Sequence, residues 1–386
     1  MEEIVRLKKE DYDECFGLMN TVFGRQNGRV VDFTKELPKM CRRDEESLGK
    51  HFGVRVDGKL VAALGVYPLP GVIFDTPVLF STVGNVVTLP EYEGRGYMTK
   101  MLKTAMGELD RLGADASRLG GYRQRYNQFG YEAAGTLYYF EIDSNNSKCC
   151  HKPGESLTFA SIAADDEASL RYADGLYRQG GIWLDRTIAP KMRDAYDSMA
   201  AWRSSPYIVK GADGRPVGYF SLAADGRTMN EVFAESEEQL ENLIFSFQEQ
   251  IGQTLTFSLA PCRREAVRYF SSIAGAMRIN FPCLFKIIHF DKIAGALMRL
   301  KNASFPGLPE GETVLNIENY GSLRLFAHAG EIGAEKTEKT GKITLSYFEA
   351  VRLLFGPMAP ETFADFDPFL NAWLPLPLSW STLDRV

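Results

Sequence analysis

The chain has 386 residues, of which 45% are hydrophobic and 24% are charged, and its formal net charge is -6. This length predicts two or three domains, since domains average roughly 150 residues. The acidic balance disfavours nucleic acid and anionic membranes as the main partners. The N-terminus lacks the apolar core of a signal peptide, and the most apolar late window, residues 281–300, is too charged to span a bilayer. We therefore expect a cytoplasmic protein.

The first unit shows the order strand, helix, three strands, helix, strand. Residues 3–7 alternate as a strand does, and residues 8–24 have apolar side chains at helical spacing. Asp57 and Gly58 stand between two apolar runs, which predicts a β-hairpin. A further strand is predicted over residues 78–89, a helix with one buried face after Gly96, and a strand over residues 136–142.

Two more units follow. Residues 144–155 are polar, with Pro and Gly, and read as a linker. After them a second hairpin signal at Asp213 and Gly214, a helical segment at 235–252 and a strand at 254–261 repeat the element order of the first unit. The paired glycines are missing from this copy, so we hypothesise an internal duplication with a degenerate second half. The third unit begins near Phe281 and has predicted strands at 313–320, 323–328 and 342–346, a polar loop at 330–342 and a helix at 347–356.

The stretch "NVVTLPEYEGRGYMTKML", residues 85–102, carries the chemistry. The first N–H groups of a helix are unpaired and bear partial positive charge, and glycines before them let a phosphate approach. Gly94, Arg95 and Gly96 are therefore predicted to form a pyrophosphate cradle. The P-loop pattern GxxxxGK[ST] is absent. The Rossmann pattern GxGxxG does not fit either, because Thr99 stands where it needs its third glycine. The alternative is an ordinary tight turn before a helix.

This stretch is similar to the acetyl-CoA signature of the GNAT superfamily of N-acetyltransferases, a strand followed by [QR]xxGx[GA] and a helix. Glu91 stands where the signature has Gln or Arg, and the glycines are intact. Downstream, "YNQFGYEAAG" at 126–135 resembles the second family signature, a Tyr before an aromatic-Gly-aromatic turn. The order of the three units resembles the Eis (enhanced intracellular survival) family of aminoglycoside N-acetyltransferases over nearly the whole chain.

The resemblance implies a mixed α/β (α+β) protein. Its domains would be a GNAT domain at 1–146, a degenerate GNAT-like domain at 147–284 and a sterol-carrier-protein-like domain at 285–386. It implies acetyl-CoA as co-substrate, no metal, and a homo-oligomer, since family members form hexamers. The pantetheine arm would pair with Val86, Val87 and Thr88. The pyrophosphate would lie on Gly94, Arg95, Gly96, Tyr97, Met98 and Thr99.

The resemblance also assigns two catalytic groups. Tyr126 would be the general acid that protonates the departing thiolate, because a phenol with a pKa of ~10 stays protonated at neutral pH; the alternative is a Tyr that only packs. The α-carboxyl of Val386 would be the general base. The amine would be aminoglycoside-like, polyamine-like or a lysine, but Arg385 beside that carboxyl disfavours a polycation.

A second class of function stays open. The third unit resembles lipid carriers, so the chain could instead be a non-catalytic binding protein for an apolar or lipid ligand on a GNAT scaffold. The sequence predicts no metal site: the chain has six cysteines, none at CxxC spacing, and four histidines. His51 and His328 have no partner signal and are assigned no role.

Overall fold

A computed structural model describes residues 1–151, 154–186, 192–365 and 367–385. The first strands are β1 (Glu2–Arg6), β2 (His51–Val56), β3 (Lys59–Ile73), β4 (Thr76–Thr88), β5 (Ala116–Leu119), β6 (Glu132–Ala134) and β7 (Leu137–Ile142). The helices between them are α1 (Tyr12–Asn27), α2 (Phe33–Glu36), α3 (Glu45–Leu48), α4 (Tyr97–Leu112) and α5 (Arg123–Tyr126).

The middle of the chain contains strands β8 (Thr158–Ser161), β9 (Ile182–Leu184), β10 (Ser205–Lys210), β11 (Pro216–Leu222), β12 (Thr228–Ala234), β13 (Leu255–Leu259), β14 (Ala276–Asn280) and β15 (Cys283–Ile287). Its helices are α6 (Ser144–Cys150), α7 (Glu167–Arg178), α8 (Met192–Met199), α9 (Glu237–Ile251) and α10 (Arg264–Ile273). The last part contains α11 (Phe290–Ser304), β16 (Gly311–Ile317), β17 (Gly321–His328), β18 (Glu331–Thr337), β19 (Ile343–Leu345), α12 (Tyr347–Phe355) and α13 (Pro368–Trp373).

The first two sheets share one strand order. The first runs β1-β2-β3-β4-β5-β15-β6, with β9 pairing on β3, and the second runs β8-β10-β11-β12-β13-β7-β14. In each sheet one neighbouring pair is parallel, β4 with β5 and β12 with β13, and the strand after it is antiparallel to both of its neighbours. This equivalence supports the hypothesis of an internal duplication.

The two sheets exchange one strand. β7 lies within the expected first domain, 1–146, but pairs with β13 and β14 of the second sheet. β15 begins within the expected second domain, 147–284, but pairs with β5 and β6 of the first sheet. Sheet membership therefore does not follow the predicted domain limits. Each sheet is continuous only because a strand from elsewhere in the chain lies between two of its own strands: β15 lies between β5 and β6, and β7 lies between β13 and β14.

The helix that follows the glycine turn has the predicted buried face. Met101, Leu102, Ala105 and Leu109 of α4 are fully enclosed, and they pack on one side of the first sheet. On the other side α1 packs against β3 and β4. The rest of that side is covered by the third unit and the segment after α13, which share one apolar core with β3, β4 and β15.

The hairpin predicted at Asp57 and Gly58 is confirmed. Both residues have positive φ, 49° and 84°, between β2 and β3, as a tight two-residue turn requires. The second predicted hairpin is also present, with a longer connection from Gly211 to Arg215.

Two local predictions were wrong. The linker at 144–155 begins with a helix, because Asp143 caps the N-terminus of α6 through bonds to the amides of Asn145 and Asn146. The loop at 330–342 contains strand β18, which pairs along β17 at a sheet edge, a position that tolerates its charged side chains. The element order read from periodicity also lacks the buried strand β5, since its four residues are too few for a periodic signal.

The third sheet runs β18-β17-β16-β19, with α11 packed across β17 and β18. None of the helices within the described ranges has the length and apolar character needed to cross a membrane.

Candidate active site

The glycine turn leads into an open helix N-terminus. Gly94 and Gly96 have positive φ, 75° and 79°, and Gly96 occupies the N-cap position of α4 without a side-chain cap. A Cβ built at either glycine would meet no atom within 4 Å. The backbone N–H groups at the start of α4 are therefore left for a ligand rather than for a capping side chain. The turn fits the diphosphate that the sequence predicts there.

A cavity of about 440 Å³ lies over this turn; we call it the turn cavity. Eight of the nine residues predicted to bind the cofactor line it: Val86, Val87, Thr88, Gly94, Gly96, Tyr97, Met98 and Thr99. Arg95 is the exception, because its guanidinium lies 4.8 Å from the ring centroid of Tyr92 and donates to the carbonyl of Glu91. The structure thus brings the strand and the turn to one cavity, and their role in binding remains a prediction.

The strand beside the turn cavity is distorted by a β-bulge. Ala63 pairs with Val87 and Gly65 pairs with Gly84, so Asn85 and Val86 together oppose a single residue of β3. Asn85 has a φ of 54°, in the left-handed region that Asn tolerates better than most residues. A bulge bends the strand and leaves backbone groups unpaired. Those groups are available to an extended chain laid beside β4.

A second cavity, of about 400 Å³, adjoins the first; we call it the tyrosine cavity. Both cavities are lined by Gln26, Val86 and Arg125, and the second is also lined by Tyr126. The Tyr126 side chain is almost fully enclosed, at 5% exposure. Burial raises the pKa of its phenol, against a smaller opposing effect of Arg125. The hydroxyl therefore remains a proton donor throughout the neutral range.

Gly121 makes room for the ring of Tyr126. A Cβ at Gly121 would lie 2.7 Å from Cε2 of Tyr126, and the φ of Gly121 is 133°. Two independent features thus require glycine here: the close approach and the backbone conformation.

The charges around the tyrosine cavity are mostly positive. Its lining includes Arg29, Arg125 and one carboxylate, Glu36. Glu36 is only 2% exposed and accepts from Nη1 and Nη2 of Arg29, at 2.6 and 3.0 Å, and it pairs with Arg203 at 3.2 Å. Its negative charge is therefore already neutralised by arginines. Trp202, which precedes Arg203 and also lines the cavity, comes from the second half of the chain.

The end of the chain is fixed between the first two units. Arg186, fully buried, binds Asp384 at 3.0 Å and holds Glu231 with two bonds, while Tyr177 donates to Asp384 at 2.9 Å. The ring of Trp380 packs against the first sheet. The segment leading to the C-terminus is thus anchored, as its apolar sequence predicts. Val386, the predicted base, lies outside the described residues.

Comparison with known proteins now identifies the first part of the chain. Residues 3–134 match the family described as acetyltransferase (GNAT) domain. The chain carries a GNAT acetyltransferase domain. Among curated proteins, none matches the chain at a significant level.

Solved structures of similar fold span the full length of the chain. A probable N-acyltransferase from Enterococcus faecalis is 15% identical, with 98% of this chain and 97% of that one covered and a TM-score of 0.69. A GCN5-related N-acetyltransferase from Anabaena variabilis is 15% identical, with 100% of both chains covered and a TM-score of 0.69. Eis1 from Mycobacterium abscessus is 14% identical, with 99% and 98% covered and a TM-score of 0.65. At these identities the likeness shows the fold, which extends beyond the GNAT domain to all three units.

The second unit has no matching glycine turn. At the topologically equivalent place between β12 and α9, Ser236 caps the helix through its side chain, and Glu237 and Glu238 occupy the first turn. These carboxylates lie where α4 leaves its N–H groups open, and they would repel a diphosphate. Of these two equivalent helices, α4 is the one whose first N–H groups are open to an anionic ligand.

The sequence analysis did not identify three connected polar residues, the last of which lines the tyrosine cavity. His51, Tyr67 and Asn85 are each no more than 4% exposed and are connected by hydrogen bonds. The sequence signal for them is Gly65, because a glycine inside a strand indicates that another group approaches the backbone closely. A Cβ there would lie 2.3 Å from the Tyr67 ring.

The described residues hold no group of three or more His, Cys, Asp or Glu side chains suited to a metal ion.

Proposed function

We propose that the chain transfers an acetyl group from acetyl-CoA to a primary amine of a small molecule or of a lysine side chain. The observation that carries this proposal is the pair of adjoining cavities that share Gln26, Val86 and Arg125. One lies over an open helix N-terminus suited to a diphosphate, and the other is lined by a buried phenol. A cofactor in the first cavity and an amine in the second would meet beside the β4 bulge.

In this reaction the chain supplies binding, orientation and proton transfer. The amides of Gly96, Tyr97 and Met98 would hold the diphosphate, and the bulged end of β4 would pair with the pantetheine arm. Tyr126 would donate its proton to the departing sulfur, and its raised pKa keeps that proton available. By the resemblance, the α-carboxyl of Val386 would accept the proton of the amine. The anchoring of Asp384 supports a fixed position for this end of the chain.

The charges of the tyrosine cavity bear on which amine is accepted. Aminoglycosides, polyamines and lysine remain the candidates. Arg29 and Arg125 line the cavity, and Glu36, the one carboxylate among the described residues of its lining, is held by arginines. A polycation would meet repulsion there. We therefore favour an amine with few positive charges over an aminoglycoside.

The alternative, a binding protein for an apolar or lipid ligand, depends on the third unit. The interior between the third sheet and its helices is filled by enclosed aliphatic and aromatic side chains, so the described residues of this unit offer no feature that favours that function. The domain limits 1–146, 147–284 and 285–386, a sterol-carrier-like third domain, a homohexamer and a cytoplasmic location remain proposals from the resemblance. Light scattering of the purified chain tests the hexamer.

Two experiments test the proposed function. Calorimetric titration with acetyl-CoA should show saturable binding, and the absence of binding would refute the assignment. A panel of amines, aminoglycosides and lysine peptides, followed by CoA release, should then identify the acceptor. Removal of Arg385 and Val386 should lower turnover but leave acetyl-CoA binding in place. Unchanged turnover after this removal would refute the role of the C-terminal carboxylate.

A further inference from the structure

A chain of buried hydrogen bonds ends at the tyrosine cavity. Nδ1 of His51 lies 2.9 Å from the carbonyl oxygen of Ser47, and its Nε2 lies 2.8 Å from the hydroxyl of Tyr67. The Tyr67 hydroxyl lies 2.8 Å from Nδ2 of Asn85, which lines the cavity. His51 and Tyr67 are buried at 0% and 1% exposure. We call this series of residues the Ser47–Asn85 relay.

The direction of every bond in the relay is fixed by its first member. A carbonyl oxygen only accepts, so Nδ1 of His51 must carry the proton. Burial lowers the pKa of His51 to about 4, so at neutral pH the ring has one proton and Nε2 can only accept. Tyr67 therefore donates its single proton to His51. Its oxygen is then left to accept from the amide nitrogen of Asn85.

This logic fixes the orientation of the Asn85 amide. The nitrogen must face Tyr67, and the carbonyl oxygen Oδ1 must face the other way. Oδ1 accepts no hydrogen bond from any residue the structure describes, and Asn85 lines the tyrosine cavity at the point where β4 bulges. The cavity therefore contains a neutral, oriented hydrogen-bond acceptor beside the strand that is predicted to hold the cofactor.

We propose that Oδ1 of Asn85 accepts a hydrogen bond from the attacking amine and so orients its lone pair toward the acetyl group, with Tyr67 and His51 as positioning residues. This inference rests on the proposed function. The chemistry suits a neutral amine. A carboxylate at this place would strongly stabilise the ammonium form and raise the pKa of the amine, whereas a neutral amide oxygen favours the ammonium form much less.

The test compares Asn85→Gly, Tyr67→Phe and the double variant. Glycine accepts the positive φ of position 85, so Asn85→Gly removes the side chain without backbone strain. Each single variant should raise the KM for the amine, about tenfold for Asn85→Gly and three- to tenfold for Tyr67→Phe, since one hydrogen bond is worth about that much. In Tyr67→Phe, whose side chain is not among the residues that line either cavity, the Kd for acetyl-CoA and its hydrolysis without amine should change less than twofold. The double variant should be no worse than Asn85→Gly, because Tyr67 acts through Asn85.

Tyr347→Phe is the matched control. The Tyr347 hydroxyl also has two partners, donating to the carbonyl of Ile287 and accepting from its amide, but it lies in the third unit. Its loss should leave the amine KM unchanged. Additive effects of the two active-site variants, or an unchanged amine KM in Asn85→Gly, would overturn the proposal.

A measurement independent of activity tests the direction of the relay. Nitrogen NMR of labelled histidines, with His51 assigned from a His51→Gln variant, should show the neutral Nδ1–H tautomer at pH 7. The Nε2–H tautomer would refute the assigned orientation. A wild-type chain that neither binds acetyl-CoA nor acetylates any amine would instead remove the proposed function, and this inference with it.

Discussion

Gly96→Ala tests the glycine turn most directly. The φ of 79° at Gly96 disfavours an L-residue by about 1–2 kcal/mol. The added Cβ meets no protein atom within 4 Å, so the folded chain has room for it. That space belongs to the turn cavity, where the methyl group would keep a diphosphate away from the helix N-terminus. The loss of one hydrogen bond to a charged group costs about 1.5–3 kcal/mol.

The expected result is an acetyl-CoA Kd at least tenfold weaker, since 1.4 kcal/mol corresponds to about a factor of ten. Gly113→Ala is the matched control. Gly113 follows the other end of the same helix, with a φ of 67° and no atom within 4 Å of its Cβ. The two glycines are separated by the 16 residues of α4, about 24 Å. Both variants should lose similar stability, and only Gly96→Ala should lose cofactor affinity.

Calorimetry gives the Kd and urea unfolding gives the stability of each variant. An unchanged Kd in Gly96→Ala, or an equal loss of affinity in Gly113→Ala, would refute the assignment of the diphosphate to this helix N-terminus.

Three further predictions concern the acid and the ion pairs. Tyr126→Phe should lower kcat by about 100-fold or more with little change in acetyl-CoA Kd, as expected for loss of a general acid; the opposite pattern would make Tyr126 a binding residue. Arg352→Met removes a 2.7 Å bond to fully buried Glu132 and should cost about 2 kcal/mol in urea unfolding. Hydrogen bonding to Arg111 lowers the pKa of Glu108 from 4.5 to about 2. Its pairing therefore stabilises the fold above pH 4.5, and this contribution should be lost as the pH falls toward 2.

The ion-pair predictions have internal controls. Arg324→Met breaks exposed pairs with Glu312 and Glu335 and should cost much less than Arg352→Met. Equal costs would contradict the reasoning from burial. For Glu108, a Glu108→Gln variant should show a smaller loss of stability than the wild type between pH 6 and pH 3.5. The same pH dependence in both proteins would contradict the assigned pKa.

The local sequence was enough to predict the glycine turn, its helix and the first hairpin. Positive φ at Gly58, Gly94 and Gly96 and the apolar spacing of α4 depend on residues that are neighbours in the chain. These features follow from backbone sterics and helix geometry, which act over a few residues.

Other features were decided by the tertiary structure. The exchange of β7 and β15 depends on pairing between segments far apart in the chain, and no local pattern records which sheet a short apolar strand joins. The Ser47–Asn85 relay likewise brings together side chains from three separate segments. His51 carries no partner signal in the sequence, because its proton and its partners are set only when Tyr67 and Asn85 are buried beside it. Buried polar groups must satisfy one another, and the fold decides which ones meet.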